Sequence, residues 1–234
     1  MHKKLHTYCK CVIMKKLLVI IAIYILSGSA YSQTWETVKI DSTLSVKLPK
    51  GFTKTGKGKK YSMVAISPFG TILIFRTLDN PMVTPDIEME RHLNEYYSDY
   101  INNIKTSSSD ALIKDEKDTL LGKLKVKDFT LQIDSGSGVL YRDFRILHAN
   151  SATYTFEFLY QDIHKEYALP ERERFFNSIE VNENLVRSDQ YTSESINTGN
   201  KSNTKYLIAG SAALAVAIGL AIIFVLRRKR RSAA

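Results

Sequence analysis

The stretch Ser151-Ala152-Thr153-Tyr154-Thr155-Phe156-Glu157-Phe158-Leu159-Tyr160-Gln161 decides how this chain folds. Tyr154, Phe156, Phe158 and Tyr160 alternate strictly with Thr153, Thr155, Glu157 and Leu159. A period of two puts the four rings on one side of an extended strand, whereas a helix would spread them around its circumference. The pattern predicts a strand in a sheet with one well-buried face. Residues 111–121, 123–133 and 139–149 read as further long strands, separated by Leu121-Gly122, Asp134-Ser135-Gly136-Ser137-Gly138 and Ala149-Asn150. Turn chemistry between long strands predicts an antiparallel meander.

Upstream, residues 35–41 and 44–48 alternate and are closed by Pro49-Lys50-Gly51. Residues 61–67 and 71–78 flank Pro68-Phe69-Gly70, a hairpin signal, and Gly56-Lys57-Gly58-Lys59-Lys60 reads as a loop. One long helix follows. Thr84 is its predicted N-cap and Pro85 its first residue, with Asp86, Glu88 and Glu90 near the positive end of the helix dipole. Met89, Leu93, Tyr96, Tyr97, Tyr100, Ile101 and Ile104 recur at three- and four-residue spacing, one apolar stripe. A shorter helix over 170–177 and a strand over 179–181 close the domain. The expected class is α+β: an antiparallel sheet layered with helices as an α/β/α sandwich, plus one C-terminal transmembrane helix.

Two local stretches carry a family resemblance. Ser45-Val46-Lys47-Leu48-Pro49-Lys50-Gly51-Phe52 resembles the early strand ending in Pro of the PsbP-like superfold, and Phe175-Phe176-Asn177-Ser178-Ile179 resembles its closing helix. The resemblance spans most of residues 36–182. It implies a docking or assembly module, and it brings no functional residue with it, because no such motif is present.

The chain ends are topogenic. Residues 17–26 are apolar, follow Lys15-Lys16 and precede Ser27-Gly28-Ser29-Ala30-Tyr31-Ser32. About ten apolar residues are too few to span a bilayer, so residues 1–32 read as a signal peptide. Cleavage after Ser32 leaves Gln33 first, and cleavage after Ala30 is the alternative. Met14 is a more ordinary start than Met1, and an uncleaved N-terminal anchor is the competing reading. Residues 206–226 carry no charge and reach about 31 Å as a helix. Arg227, Arg228, Lys229, Arg230 and Arg231 follow as a stop-transfer cluster. This predicts a single-pass protein of a bacterial-type inner (plasma) membrane, with a periplasmic domain over 33–182, a stalk over 183–205 and a cytoplasmic tail over 227–234. Ser211, Ala215 and Gly219, at four-residue spacing, offer a self-association face.

The formal charge of +9 is concentrated in these ends. Residues 33–205 carry 23 Lys/Arg against 24 Asp/Glu, so the exported part has no field to gather nucleic acid. It contains no cysteine, which excludes disulfides and thiolate chemistry. His92, His148 and His164 show no metal-ligand spacing, and Ser135 and Ser137 do not sit in a nucleophile elbow. No catalytic residue, cofactor or metal is expected. The strongest positive patch is Lys54, Lys57, Lys59 and Lys60, a candidate contact for anionic lipid headgroups. Tyr96, Tyr97 and Tyr100 are expected in the core, with a partner-binding patch as the alternative. The expected function is a membrane-anchored, non-catalytic docking module for another exported or membrane protein. The alternatives are a small-ligand or lipid-binding domain and an enzyme.

Overall fold

A computed structural model describes residues 33–192 apart from 59, 109 and 135. Among these residues ten strands form two antiparallel sheets. The smaller is ordered β1 (Trp35–Lys39), β2 (Leu44–Pro49), β10 (Glu180–Val181). The larger runs β3 (Thr53–Lys57), β4 (Lys60–Ile66), β5 (Thr71–Leu78), β9 (Ala152–Gln161), β8 (Val139–Ala149), β7 (Leu124–Asp134), β6 (Ala111–Leu121). Two helices complete it, α1 (Glu90–Thr106) and α2 (Lys165–Asn177). The four-strand meander β6 to β9 forms as its turns predict. The Asn150-Ser151 turn has positive φ at both residues, the geometry that matches strand twist in a two-residue hairpin.

The expected α/β/α sandwich is corrected: the domain is mostly β, and a second sheet covers one face of the first. Seven strands at about 4.8 Å spacing make a sheet about 29 Å wide, and one helix covers about 10 Å of it. On the face carrying Tyr154, Phe156, Phe158 and Tyr160, α2 supplies Phe175 and Phe176, and β2 supplies Leu44, Val46 and Leu48. On the opposite face α1 packs Leu93, Tyr97, Ile101 and Ile104 over Phe129, Leu131, Phe144 and Ile146. Strand β9 is therefore buried on both faces from Ala152 to Tyr160, not on one. The expected helix over 206–226 lies outside the described residues. Among those described, no helix is long and apolar enough to cross a membrane.

Helix α1 begins later than its acidic cluster suggests. Ile87 is buried and exchanges two hydrogen bonds with Thr192: its N–H donates to Thr192 Oγ1 (2.8 Å), and its carbonyl accepts Thr192 N–H (2.9 Å). That pairing holds the chain out of a helix, so Thr84 does not cap one. Its Oγ1 instead accepts the Asn80 N–H at 3.0 Å. Met89 becomes the N-cap and is half exposed, outside the stripe. Helix α2, in contrast, starts five residues before its expected Pro170, which it carries inside it.

Residues 183–192, expected as stalk, belong to the domain. The β7–β8 ladder runs from Asp134 opposite Val139 to Lys127 opposite Ile146 and stops there, so the rung between Lys125 and His148 is missing. Gln190 replaces it and is 0 % exposed. Its Oε1 accepts Lys125 N–H (2.7 Å), and its Nε2 donates to the carbonyls of Lys125 (2.8 Å) and His148 (3.0 Å). The Tyr97 hydroxyl completes the repair by accepting His148 N–H (2.9 Å) and donating to Lys125 O (3.0 Å). Asp189 O accepts the Asn150 N–H at 2.8 Å, and Leu185 is buried. Replacing Gln190 by Ala leaves buried backbone groups unpaired and is expected to destabilise the domain by about 1–3 kcal/mol in urea unfolding. An unchanged midpoint would show that the strap adds nothing to the fold.

Candidate functional site

Antiparallel register gives the large sheet two distinct ends. Lys60 lies opposite Thr77, and Thr77 opposite Thr153, so the β3–β4 tip and the start of β9 share one end. Gln190 and Thr192 pack at that end, which makes it the anchor side of the domain. At the other end, Thr71 lies opposite Leu159 and Leu140 opposite Gln161, about 30 Å away along β9.

The anchor side holds a buried polar cluster. Asp79, at the end of β5, lines a cavity of about 40 Å³ with Thr77, Leu78, Val83, Thr84, Tyr96, Tyr100 and Thr153. His148 Nε2 is 3.6 Å from Asp79 Oδ2, too far for a hydrogen bond, and its Nδ1 is 3.2 Å from Thr153 Oγ1. Thr153 Oγ1 is in turn 2.6 Å from the Tyr96 hydroxyl. The order Asp, His, Thr matches that of a catalytic relay, but its geometry does not deliver one. Thr153 is buried and already bonded to Tyr96, and the cavity has room for a water or two rather than a substrate. Burial pushes the Asp79 carboxyl up to about 6 and pulls the His148 imidazole down to about 4.

These two shifts act on stability with opposite signs. Folded Asp79 holds its proton more tightly than the unfolded chain does, so its contribution is lost as pH rises from about 4 to about 6. Folded His148 resists protonation, so its contribution returns as pH rises from about 4 toward 6.5. Asp79→Asn is therefore expected to stabilise the protein at pH 7 by about 1–2 kcal/mol, allowing for the carboxyl's partial exposure, and to change little at pH 4. Urea midpoints at pH 4, 5.5 and 7 check this. Destabilisation at pH 7 would mean that the carboxylate is paired instead.

The residues singled out from sequence divide by location. Tyr96, Tyr97 and Tyr100 are buried, and the Tyr100 hydroxyl lies 2.9 Å from Thr155 Oγ1, so they form core and not a partner patch. Burial raises all three phenols well above their ordinary value. Lys54 and Lys57 are exposed on β3, whose last two residues, Gly56 and Lys57, the sequence assigns to a loop, and Lys54 Nζ sits 4.0 Å from the Tyr61 ring centre. Lys60 is half buried, which lowers the pKa of its ammonium. Lys59, Ser211, Ala215, Gly219 and the cluster Arg227, Arg228, Lys229, Arg230 and Arg231 lie outside the described residues. No group of three or more His, Cys, Asp or Glu that could hold a metal occurs among the described residues.

The end away from the anchor carries an exposed aromatic group that the sequence reading passed over. Phe69 and Tyr167 stack with ring centres 5.0 Å apart, and the His164 ring lies 6.1 Å from Phe69. Tyr167 is 62 % exposed, and Ile163, four residues earlier, is 81 % exposed. Phe69 is held in place by its N–H donating to Glu171 Oε2 (3.3 Å) and by Gly70, where a Cβ would stand 2.5 Å from the Phe158 ring. A helix starting at Pro170 leaves Tyr167 outside it. The available signal was Ile163 and Tyr167, apolar and four residues apart, off the face that buries Ala168, Phe175 and Phe176.

Comparison with known proteins bears mainly on the C-terminus. Residues 197–232 match the LPXTG cell wall anchor motif, which marks the chain as an exported, surface-anchored protein. Thr198-Gly199 supply the last two letters of that motif, while Ser195-Ile196 stand in the place of its Leu-Pro. The match points to attachment at the cell wall of a Gram-positive type of envelope. It corrects the expectation of a single-pass, inner-membrane protein with a periplasmic domain and a cytoplasmic tail. The physical reason lies in a shared layout, since a polar stretch, an apolar run and a basic tail serve both kinds of anchor. No curated protein matches. Among solved structures, a Pseudomonas aeruginosa protein of unknown function is 8 % identical, with 60 % of this chain and 92 % of that chain covered and a TM-score of 0.39. A Bacteroides thetaiotaomicron protein is 11 % identical, with 60 % and 46 % covered and a TM-score of 0.37. Likeness at that level carries no argument about fold or function, and the PsbP-like resemblance rests on its two short motifs alone.

Proposed function

We propose that this chain is a non-catalytic docking module, fixed to the cell surface by its C-terminus and recruiting another envelope or exported protein. The observation that carries the reading is the polarity of the domain. The chain leaves toward its anchor beside Ile87 and the β8–β9 turn, and the opposite end of the sheet is held about 30 Å away from that exit. The cavity at Asp79 is too small for a lipid or a metabolite. Docking is also the role implied by the PsbP-like resemblance. The β3–β4 hairpin takes a second part: Lys54, Lys57 and Lys60 lie on the anchor side, where each would gain about 1 kcal/mol against an anionic envelope surface.

Two experiments test this reading. Mass spectrometry of the envelope-bound protein is expected to recover peptides from 35–192 and none from 206–234, the C-terminal segment having been removed on attachment. Recovery of the intact tail through Ala234 would overturn wall attachment. In-cell crosslinking is expected to give a stoichiometric partner that disappears when residues 35–192 are exchanged for an unrelated exported domain on the same anchor. A chain that crosslinks only to itself, or to the same set after the exchange, would overturn docking.

A further inference from the structure

We infer that the far end of the sheet, built on Phe69, Ile163, His164 and Tyr167, is a docking face for a protein segment that presents an aromatic or aliphatic side chain flanked by Lys or Arg. The inference rests on the docking reading and names its partner chemistry.

Three observations select that occupant. The apolar centre is large, exposed and already ordered. Ile163 and Tyr167 are both mostly exposed, and Tyr167 is held by its stack on Phe69, which is itself pinned by Glu171 and by the close approach of Gly70 to Phe158. A ring that is ordered before contact loses little side-chain freedom on binding, which favours such residues as interface anchors.

The rim is acidic. Asp162, Glu166 and Glu171 lie on the same stretch of chain as Ile163 and Tyr167, together with Lys165, whose Nζ lies 5.2 Å from the Tyr141 ring centre, and Arg172, which is paired with Asp143. Asp162 and Glu166 make no ion pair among the described residues, so their charge is not neutralised, although Asp162 is hydrogen-bonded to Tyr141. An acidic rim repels anionic polymers and lipid headgroups, and it repels a second copy of itself, while it attracts a basic segment.

The face also points the right way. It stands at the end of β9 opposite Gln190 and Thr192, where the described chain leaves the domain, so the exit does not cover it.

The test uses the detergent-solubilised full-length protein and two sets of 12-residue peptides, each with a central Phe-Leu, one flanked by Lys and Arg and the other by Asp and Glu. Fluorescence anisotropy is expected to show at least about tenfold tighter binding of the basic set, weakening as salt is raised. Tyr167→Ser and Ile163→Ser should each abolish the preference. The double change Asp162→Lys with Glu166→Lys, on exposed side chains of which Asp162 gives up a hydrogen bond with Tyr141, should reverse it. Equal binding of the two sets, or a preference untouched by Tyr167→Ser and by the double change, would overturn the assignment. A photoreactive residue placed in cells at position 167, or on the opposite end at position 57, separates this inference from the reading beneath it. Crosslinks to one partner from 167 and not from 57 support the face. Crosslinks from 57 alone, or from neither position while the whole chain still captures a partner, overturn it and leave docking standing, and a chain that captures no partner overturns both.

Discussion

Strand β9 carries nine consecutive buried residues, and the rest of the domain is arranged to make that burial tolerable. One face of the strand is aromatic and is covered by β2 and α2, with Asp41 Oδ2 accepting the Tyr154 hydroxyl at 2.6 Å. The other face holds Thr153, Thr155 and Glu157, whose polar atoms cannot be buried without partners. Tyr96 and Tyr100 on α1 reach Thr153 and Thr155 with their hydroxyls. Arg142 on β8 meets Glu157 with two hydrogen bonds, one from Nε and one from Nη2 at 3.0 Å. The tyrosines of α1 are therefore on that helix because the strand beneath them is polar. A leucine at position 100 would cover the same area and leave the Thr155 hydroxyl without that partner, at about 1–3 kcal/mol.

The same demand explains the C-terminal strap. Where β7 and β8 part at the anchor side, the backbone of Lys125 and His148 would be left buried without a ladder. The Gln190 amide has the donor and acceptor pair of a peptide group, and it takes the place of the missing strand neighbour. Tension applied through the anchor meets this strap first, because Thr192 and Gln190 are the last points at which the described chain is bonded to the domain. The strap closes one end of the sheet, and Phe69 and Tyr167 lie at the opposite end.

Much of the local structure was legible before any coordinates. The four meander strands, the hairpin at Pro68-Phe69-Gly70 and the stripe from Leu93 to Ile104 follow from periodicity and turn residues, because each is set by neighbours close in sequence. The misreadings have one cause. Thr84 fails as a cap because Ile87 is bonded to Thr192, 105 residues away. Residues 183–192 read as stalk because their composition is polar, yet one of those polar side chains, Gln190, is the most deeply inserted group of the segment. Tyr167 was invisible as a surface residue because its exposure depends on which turn of α2 faces the sheet.

By itself, then, the sequence determined the antiparallel meander, the absence of cysteine chemistry from the exported part, and the export and anchoring of the chain, since these depend on composition, on period and on the length of apolar runs. The two-sheet architecture was decided only by the tertiary structure, since nothing local states that β2 will pack across the aromatic face of β9. The same holds for the candidate site. Phe69 and Tyr167 are 98 positions apart in sequence, and only the closing of β5 against β9 brings their rings to 5.0 Å, at the end of the domain away from its anchor.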